Sequence, residues 1–185
     1  VSTRALTTAA PPVSELDRLV RAIRGVVDRH ADWQETARLV ARELGRRRPS
    51  YRVLAPELRR GDPEAYRSHV LHTEPDGSFS IVALVWRPGQ ATAIHDHVTW
   101  CVFTVVQGVE YEELFTLDEE NGTLVEVGSS TNETGSVSGF APPGDIHRVR
   151  NVGHETAISI HVYGTDVNRI GSSVRRYYDQ PVVCN

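Results

Sequence analysis

The chain has 185 residues, of which 39% are hydrophobic and 24% are charged. This length and composition fit a compact domain with its own core and exclude a globally disordered chain. Twenty basic residues against 24 acidic ones leave a formal net charge of −4, which argues against nucleic acid or an anionic membrane as a partner. The longest wholly apolar run, Ile81 to Trp86, is too short to span a bilayer.

Residues 1–13 are predicted to form a flexible tail, because they are polar and rich in alanine and threonine. They contain no apolar stretch of the kind found in a secretory signal. The two cysteines, Cys101 and Cys184, lie far apart in the sequence, which argues against a disulfide-stapled secreted fold. We therefore expect a cytoplasmic protein.

Residues 14–60 are predicted to form a helical appendage. Between Leu16 and Val27, apolar residues recur at spacings of three and four, which is the period of one helix face. Ser14 is the expected N-cap of this first helix, with Asp17 three residues later.

A second helix is expected to begin after Asp32, with Glu35 completing a capping box. Gly45 stands where a residue that ends a helix is expected. The predicted buried face consists of Trp33, Ala37, Val40 and Leu44.

The remainder, residues 61–185, is predicted to form a β-barrel with the helices packed outside it. Short β-type segments alternate there with turn signals such as Pro75-Asp76-Gly77 and Asn121-Gly122. Many short, regularly spaced strands indicate a sandwich or a barrel. The expected strands are 65–73, 79–87, 92–107, 109–117, 123–130, 134–140, 146–151, 156–164 and 173–178.

Two closely spaced histidines are the first candidate for metal chemistry. One residue separates His95 from His97, so in an extended strand both side chains point to the same face, together with Thr99 and Cys101. Two such imidazoles can converge on one metal ion at roughly 2.0–2.2 Å. Taken alone, however, the pattern is more often a pair of surface histidines.

Longer motifs around these histidines favour the metal site. From Gly89 to Gly108 the sequence reads G-x5-H-x-H-x3-C-x6-G, and from Pro142 to Asn151 it reads P-x-G-x2-H-x3-N. These segments resemble the two signature motifs of the cupin superfamily, whose first motif usually carries glutamate where this chain has Cys101. The resemblance implies a jelly-roll barrel with a metal bound by His95, His97 and His147.

The residues of a later predicted strand narrow the resemblance from the cupin superfamily to one group within it. Ser159, His161 and Tyr163 alternate onto one face of it, which without further context also fits a half-buried strand with polar residues toward solvent. With the histidine motifs, the chain resembles the thiol dioxygenases, the cysteine dioxygenase group of cupins. This implies Fe(II) at the three histidines and a Ser-His-Tyr relay beside the bound thiol and O2. It also implies a thioether between Cys101 and Tyr163, unless Cys101 is only a small buried hydrophobe.

The residues expected to bind the substrate differ from those usual in that family. Cysteine dioxygenases usually hold the substrate carboxylate with an arginine two residues after a tyrosine, and counting from Tyr66 places Ser68 there. Arg67 is adjacent, but strand alternation turns it to the other face. Since a serine cannot form the paired bonds of a guanidinium, the substrate-binding candidates are Tyr66, Ser68 and Arg67.

The combined interpretation is an Fe(II)-dependent dioxygenase that oxidises the sulfur of a small thiol, L-cysteine, with O2 to a sulfinic acid. A second hypothesis keeps iron and cysteine but forms another S-oxidised product, such as a sulfonamide, with decarboxylation. A third is a non-enzymatic metal-binding cupin. The expected partners are a thiol and O2, without nucleic acid or membrane. The oligomeric state stays open and a monomer is compatible with the sequence.

Overall fold

The structure, a computed structural model, describes residues 13–183. Apart from Val13, the predicted tail lies outside the described residues, as does Cys184. Within them, helix α1 spans Glu15–Val27, α2 spans Trp33–Arg47 and the short α3 spans Val167–Ile170. Two 3-10 helices, Tyr51–Val53 and Pro56–Arg60, follow α2. None of the described helices has the length and apolar character needed to cross a membrane.

The N-terminus of α1 confirms the predicted capping box. The Asp17 N–H donates to Ser14 Oγ at 3.0 Å, and the Ser14 N–H donates to the Asp17 carboxylate at 3.2 Å. At α2, Asp32 accepts from the Glu35 N–H at 2.8 Å as expected. The Glu35 side chain binds Arg38 instead of the cap backbone, because a guanidinium offers two charge-assisted bonds.

Two further predictions for α2 are wrong. The helix does not end at Gly45 but continues to Arg47, and Arg48 takes the left-handed conformation with φ 44°. Ion pairs from the last turn to Glu43 extend the helix. Trp33, the first residue of α2, is 48% exposed and does not belong to the buried face.

Within residues 13–183, eleven strands form two sheets, which confirms the predicted mainly β barrel. The strands are β1 Arg67–Thr73, β2 Ser80–Trp86, β3 Ile94–His97, β4 Cys101–Gln107, β5 Val109–Asp118, β6 Thr123–Glu133, β7 Val137–Phe140, β8 Ile146–Asn151, β9 Ala157–Tyr163, β10 Val174–Tyr178 and β11 Val182–Val183. The five-stranded sheet has the order β1-β2-β9-β4-β7, and the six-stranded sheet has the order β10-β3-β8-β5-β6-β11.

The helices cover the outer face of the five-stranded sheet. Residues of α1 and α2 pack with alternate residues of β2 and β9, among them Ile81, Val85 and Ile160. The intervening residues of the same strands, such as Trp86 and Tyr163, face the interior between the two sheets. Both faces of β2 and β9 are therefore buried, and every residue of these strands has little exposure.

The segment predicted as one strand over 92–107 is two strands in different sheets. The chain leaves the six-stranded sheet after His97 and enters the five-stranded sheet at Cys101. Between them, Thr99 Oγ1 donates to the Gly164 carbonyl at 3.0 Å. The alternation argument therefore does not link Thr99 and Cys101 to the histidines, because a change of sheet ends the period of two.

We predict that Gly164→Ala destabilises the fold by roughly 1–3 kcal/mol, the usual cost of overpacking. A Cβ on Gly164 would lie 2.2 Å from Trp100 Nε1, at the crossing between the sheets. Gly25→Ala is the control: apart from its chain neighbours and the backbone of α1 itself, no heavy atom of the described residues lies within 4 Å of a Cβ at this position, so alanine should stabilise by roughly 0.4–1 kcal/mol. Urea unfolding measures both. Unchanged stability of Gly164→Ala would contradict the packing described.

Candidate metal centre and cavity

Three histidines meet where two neighbouring strands of the six-stranded sheet are in register. His95 and His97 lie on β3, and His147 on β8 is the direct cross-strand partner of His95. One nitrogen from each ring lies within 4.8 Å of the other two. All three side chains are buried.

Each of the three rings is held at its Nδ1 atom. His95 Nδ1 lies 2.9 Å from the Ala93 carbonyl oxygen, and His97 Nδ1 lies 3.2 Å from Asp145 Oδ2. His147 Nδ1 lies 2.9 Å from Glu112 Oε1. Because a metal-binding histidine is usually oriented by a bond at its other nitrogen, this arrangement leaves the Nε2 atoms as ligand atoms.

Burial favours the neutral form of His95 and His97. Burial, with the neighbouring His147 and His97 rings, lowers the pKa of His95 to about 3. Burial also lowers the pKa of His97, against the opposing bond to Asp145. Burial opposes ionisation of Asp145, but its hydrogen bonds to His97 still lower the pKa of this carboxyl. Neutral imidazole is the form that binds metal.

An unpartnered nitrogen supports a metal at this place. His147 Nε2 is buried and has no hydrogen-bond partner among the described residues. Such an atom is costly unless something binds it, and a divalent transition metal at the centre of the three rings would do so. The donor set of three neutral nitrogens fits such an ion.

Sequence reasoning missed the acidic residues that hold the histidines. Glu112 comes from β5, and Asp145 from the turn before β8. Asp96, between the two histidines of β3, is fully buried and binds Tyr178 Oη at 2.7 Å and the Arg175 guanidinium. Asp145, two residues before His147 in its motif, was the clearest available signal. The others depend on cross-strand pairing, which the sequence pattern does not specify.

The three relay candidates lie together on the inner face of β9. Ser159 Oγ is 2.9 Å from His161 Nε2, and His161 Nδ1 is 3.3 Å from Tyr163 Oη. Phe103 stacks on the His161 ring with 5.0 Å between centroids. Burial lowers the pKa of His161 well below its usual value and raises that of Tyr163 well above it. Both are therefore neutral near pH 7.

Cys101 lies beside this chain. It is the cross-strand partner of Tyr163, and its Sγ is 3.9 Å from His161 Nδ1. Burial raises the pKa of the Cys101 thiol well above its usual value, so it is a neutral thiol. The pairing of β4 with β9 thus brings Cys101 and Tyr163 together.

A cavity of about 420 Å³ opens onto the centre, a size suited to a small molecule. Tyr66, which stacks on Trp86 at 4.4 Å between centroids, and Ser68 contribute to its wall. The described lining also contains the three metal-site histidines, His161, Tyr163 and several valines.

One substrate-binding candidate is wrong. Arg67 does not line the cavity: its side chain is 54% exposed and forms an ion pair with Asp62. The pattern of β1 explains this, since Ser68 faces inward and its neighbour must face outward. Among the described residues, the cavity is lined by no arginine, and the chain contains no lysine.

The two-sheet barrel and its buried cluster of three histidines define a cupin with a metal centre. A family model described as cysteine dioxygenase type I matches residues 9–177. The chain belongs to this family.

Curated relatives agree with the family. Cysteine dioxygenase type 1 of Rattus norvegicus is 31% identical over 91 residues, covering 48% of this chain and 46% of that protein. The Homo sapiens enzyme is 30% identical over the same coverage, and the Danio rerio enzyme is 31% identical over 94 residues, 49% of this chain and 47% of that protein. The matched region is about half the length of these relatives.

Solved structures with similar folds include an oxalate oxidase in complex with glycolate. It is 18% identical with a TM-score of 0.46, and the match covers 57% of this chain and 53% of the other. A Klebsiella pneumoniae protein with a double-stranded β-helix domain is 20% identical with a TM-score of 0.46, covering 60% and 85% respectively.

We predict that Asp145→Asn weakens metal binding by about 10- to 100-fold, the usual effect of losing a group that orients a metal-binding histidine. An amide is a weaker acceptor than the carboxylate, whose Oδ2 lies 3.2 Å from His97 Nδ1 and also receives the His97 backbone N–H at 2.8 Å. Competition with a chelator measures the affinity. The control is Glu113→Gln, a buried carboxylate that binds Arg148 instead of a histidine. Equal metal affinity of Asp145→Asn and Glu113→Gln would contradict the orienting role.

Proposed function

We propose that the protein is an Fe(II)-dependent dioxygenase that oxidises the sulfur of a small thiol, L-cysteine, to a sulfinic acid. The observation that carries this proposal is the set of three buried imidazoles at the wall of a cavity that is also lined by Tyr163. The thiol and O2 contain all the atoms of the sulfinic acid, so the reaction needs no further co-substrate. Family membership supports the same chemistry.

His95, His97 and His147 are the proposed iron ligands. Since imidazole binds a metal in its neutral form, three such ligands leave the charge of a divalent ion uncompensated, which favours a substrate that binds as an anionic thiolate. When bound, iron would supply the redox chemistry that joins the thiol to O2. The cytoplasm is the proposed compartment, because thiols stay reduced there.

Tyr163 is the proposed hydrogen-bond donor to the reacting oxygen. Its hydroxyl is held by His161, which Ser159 holds in turn, so the donor needs no rearrangement when charge develops. Tyr66 and Trp86 form an apolar wall that displaces water from the substrate. The thioether between Cys101 and Tyr163 stays a prediction, which the intact mass of the purified protein can measure.

A second candidate product follows from the absence of a cation in the described cavity lining. A substrate carboxylate without a guanidinium partner is not held in place and can be lost as CO2, with O2 as the oxidant that takes up the electron pair of the broken carbon–carbon bond. The alternative function is therefore conversion of cysteine to another S-oxidised product, such as a sulfonamide, with decarboxylation. Product mass separates it from plain sulfination.

We predict that the Fe(II)-loaded protein consumes O2 with at least one small thiol, measured with an oxygen electrode across a panel of thiols and by product mass. His147→Ala should lose most of its iron and all of this uptake. Tyr163→Phe should keep its iron and lose roughly 10²–10³ in rate, as for a positioned donor in a closed site. Tyr111→Phe is the control, since this ring lies against Arg150 and does not line the cavity.

Three results would contradict these assignments. Full iron occupancy in His147→Ala would remove this histidine from the ligands. Unchanged turnover in Tyr163→Phe would show that the relay is not used. Iron binding without uptake of O2 with any thiol would identify a non-enzymatic metal-binding cupin.

We predict that Ser68→Arg tightens the binding of cysteine. Ser68 lines the cavity, and an arginine there could add roughly 1.5–3 kcal/mol through charge-assisted bonds to the carboxylate. The KM for cysteine should fall by about tenfold or more and the product should shift toward the sulfinic acid. The control is Arg67→Ala, on the outer face of β1. Unchanged KM and product in a folded, iron-loaded Ser68→Arg protein would contradict a substrate role for residue 68.

A further inference from the structure

A fully buried carboxyl group lies at the inner end of the Ser159–His161–Tyr163 chain. Glu110, on β5, is 0% exposed. Its carboxyl faces the Ser159 hydroxyl and the Trp86 indole N–H, which lie on the opposite sheet. Neither of its oxygens has a hydrogen-bond partner among the described residues. Glu110 therefore sits at the end of the chain opposite to the cavity.

The surroundings of Glu110 disfavour a charged carboxylate on balance. Its cross-strand partners are two neutral residues, Asn132 on β6 and Asn151 on β8. The nearest charged group is Glu112 on its own strand, which binds His147 and Ser138 and repels a second negative charge. Burial, against weak support from Ser159 and with repulsion from Glu112, raises the pKa of Glu110 to about 8.

The neutral acid gives the hydrogen-bond chain one direction. The structure holds no hydrogen bond between Glu110 and Ser159, but a protonated Glu110 that turns toward Ser159 Oγ can donate to it. Ser159 Oγ also receives the Trp86 N–H at 3.3 Å. The Ser159 hydrogen is then directed to His161 Nε2, which makes His161 the Nδ1–H tautomer. Nδ1–H donates to Tyr163 Oη, so the phenol hydrogen remains available for the cavity.

Loss of the Glu110 proton to solvent reverses the three bonds of the chain, between Glu110 and Ser159, between Ser159 and His161, and between His161 and Tyr163. The carboxylate then accepts the Ser159 hydrogen, and Ser159 Oγ must accept from Nε2–H of His161. His161 Nδ1 becomes an acceptor for the Tyr163 hydroxyl. Tyr163 then turns its hydrogen away from the cavity and offers only lone pairs there.

We propose that Glu110 is a positioning residue whose neutral carboxyl directs the Ser159–His161–Tyr163 chain, so that Tyr163 presents its hydrogen to the substrate. The consequence for catalysis rests on the proposed function. The direction of the chain is a property of the folded protein and is tested without substrate.

The test reads the His161 tautomer by long-range ¹H–¹⁵N correlation spectroscopy on the full chain loaded with diamagnetic zinc. In the wild type, His161 is expected as the Nδ1–H tautomer at pH 6–7 and to change toward Nε2–H as the pH rises through about 8. Glu110→Gln carries an amide that cannot ionise, and its His161 should keep one tautomer throughout. Glu113→Gln, on the same strand but paired with Arg148, should follow the wild type.

Two spectroscopic results would overturn the proposal. One is a single His161 tautomer in the wild type over the whole pH range, which needs no variant to be observed. The other is the same change of tautomer in Glu110→Gln as in the wild type.

The pH profile of turnover tests the link to catalysis. At one pH unit above its pKa, about a tenth of an acid stays neutral, so wild-type turnover should fall roughly tenfold from pH 7 to pH 9. Glu110→Gln should show a ratio of rates at these two pH values near one, and Glu113→Gln the wild-type ratio. Equal ratios in Glu110→Gln and wild type would overturn the catalytic link. If no thiol is oxidised at any pH, the proposed function is refuted. The direction of the hydrogen-bond chain is then still decided by the His161 tautomer alone.

Discussion

Each imidazole of the candidate metal centre is held at Nδ1 by an acceptor from a different part of the chain: the Ala93 carbonyl, Asp145 before β8 and Glu112 on β5. Buried carboxylates are costly unless they are paired, and buried imidazoles are costly with open ring nitrogens. The acids and the rings therefore satisfy one another only when β3, β8 and β5 lie in register. The register of the six-stranded sheet and the geometry of the metal centre therefore depend on each other.

Much of the fold could be predicted from hydrophobic periodicity. Strand positions and the start of α1 follow from period-two and period-three-to-four patterns with clear turn and cap residues. The pattern fails where tertiary contacts decide. The sequence pattern predicts one strand over 92–107, although the chain changes sheets near Thr99 and Trp100. Gly45 reads as a helix end, although packing and ion pairs carry α2 to Arg47.

Some residues of the candidate site could likewise be predicted from local sequence motifs, and others could not. The three histidines and the Ser159–His161–Tyr163 set lie in local motifs, and alternation in β1 correctly separates the faces of Ser68 and Arg67. Glu110 and Glu112 could not be found this way, because acidic residues alternating on a strand normally indicate a solvent face. Only the pairing of β5 with its neighbours reveals that these side chains point into the barrel.

The covering of the five-stranded sheet by α1 and α2 has a consequence for local opening of the structure. Ile158, Ile160 and Val162 of β9 pack under the helices, while the intervening residues carry the hydrogen-bond chain. If the helices detached, the outer face of β9 would be exposed to solvent. Tyr163 lies on the inner face of the same strand. Amide hydrogens of α2 and β9 therefore belong to one cooperative opening unit, and the helices act as the backing against which the reactive side of the barrel keeps its shape.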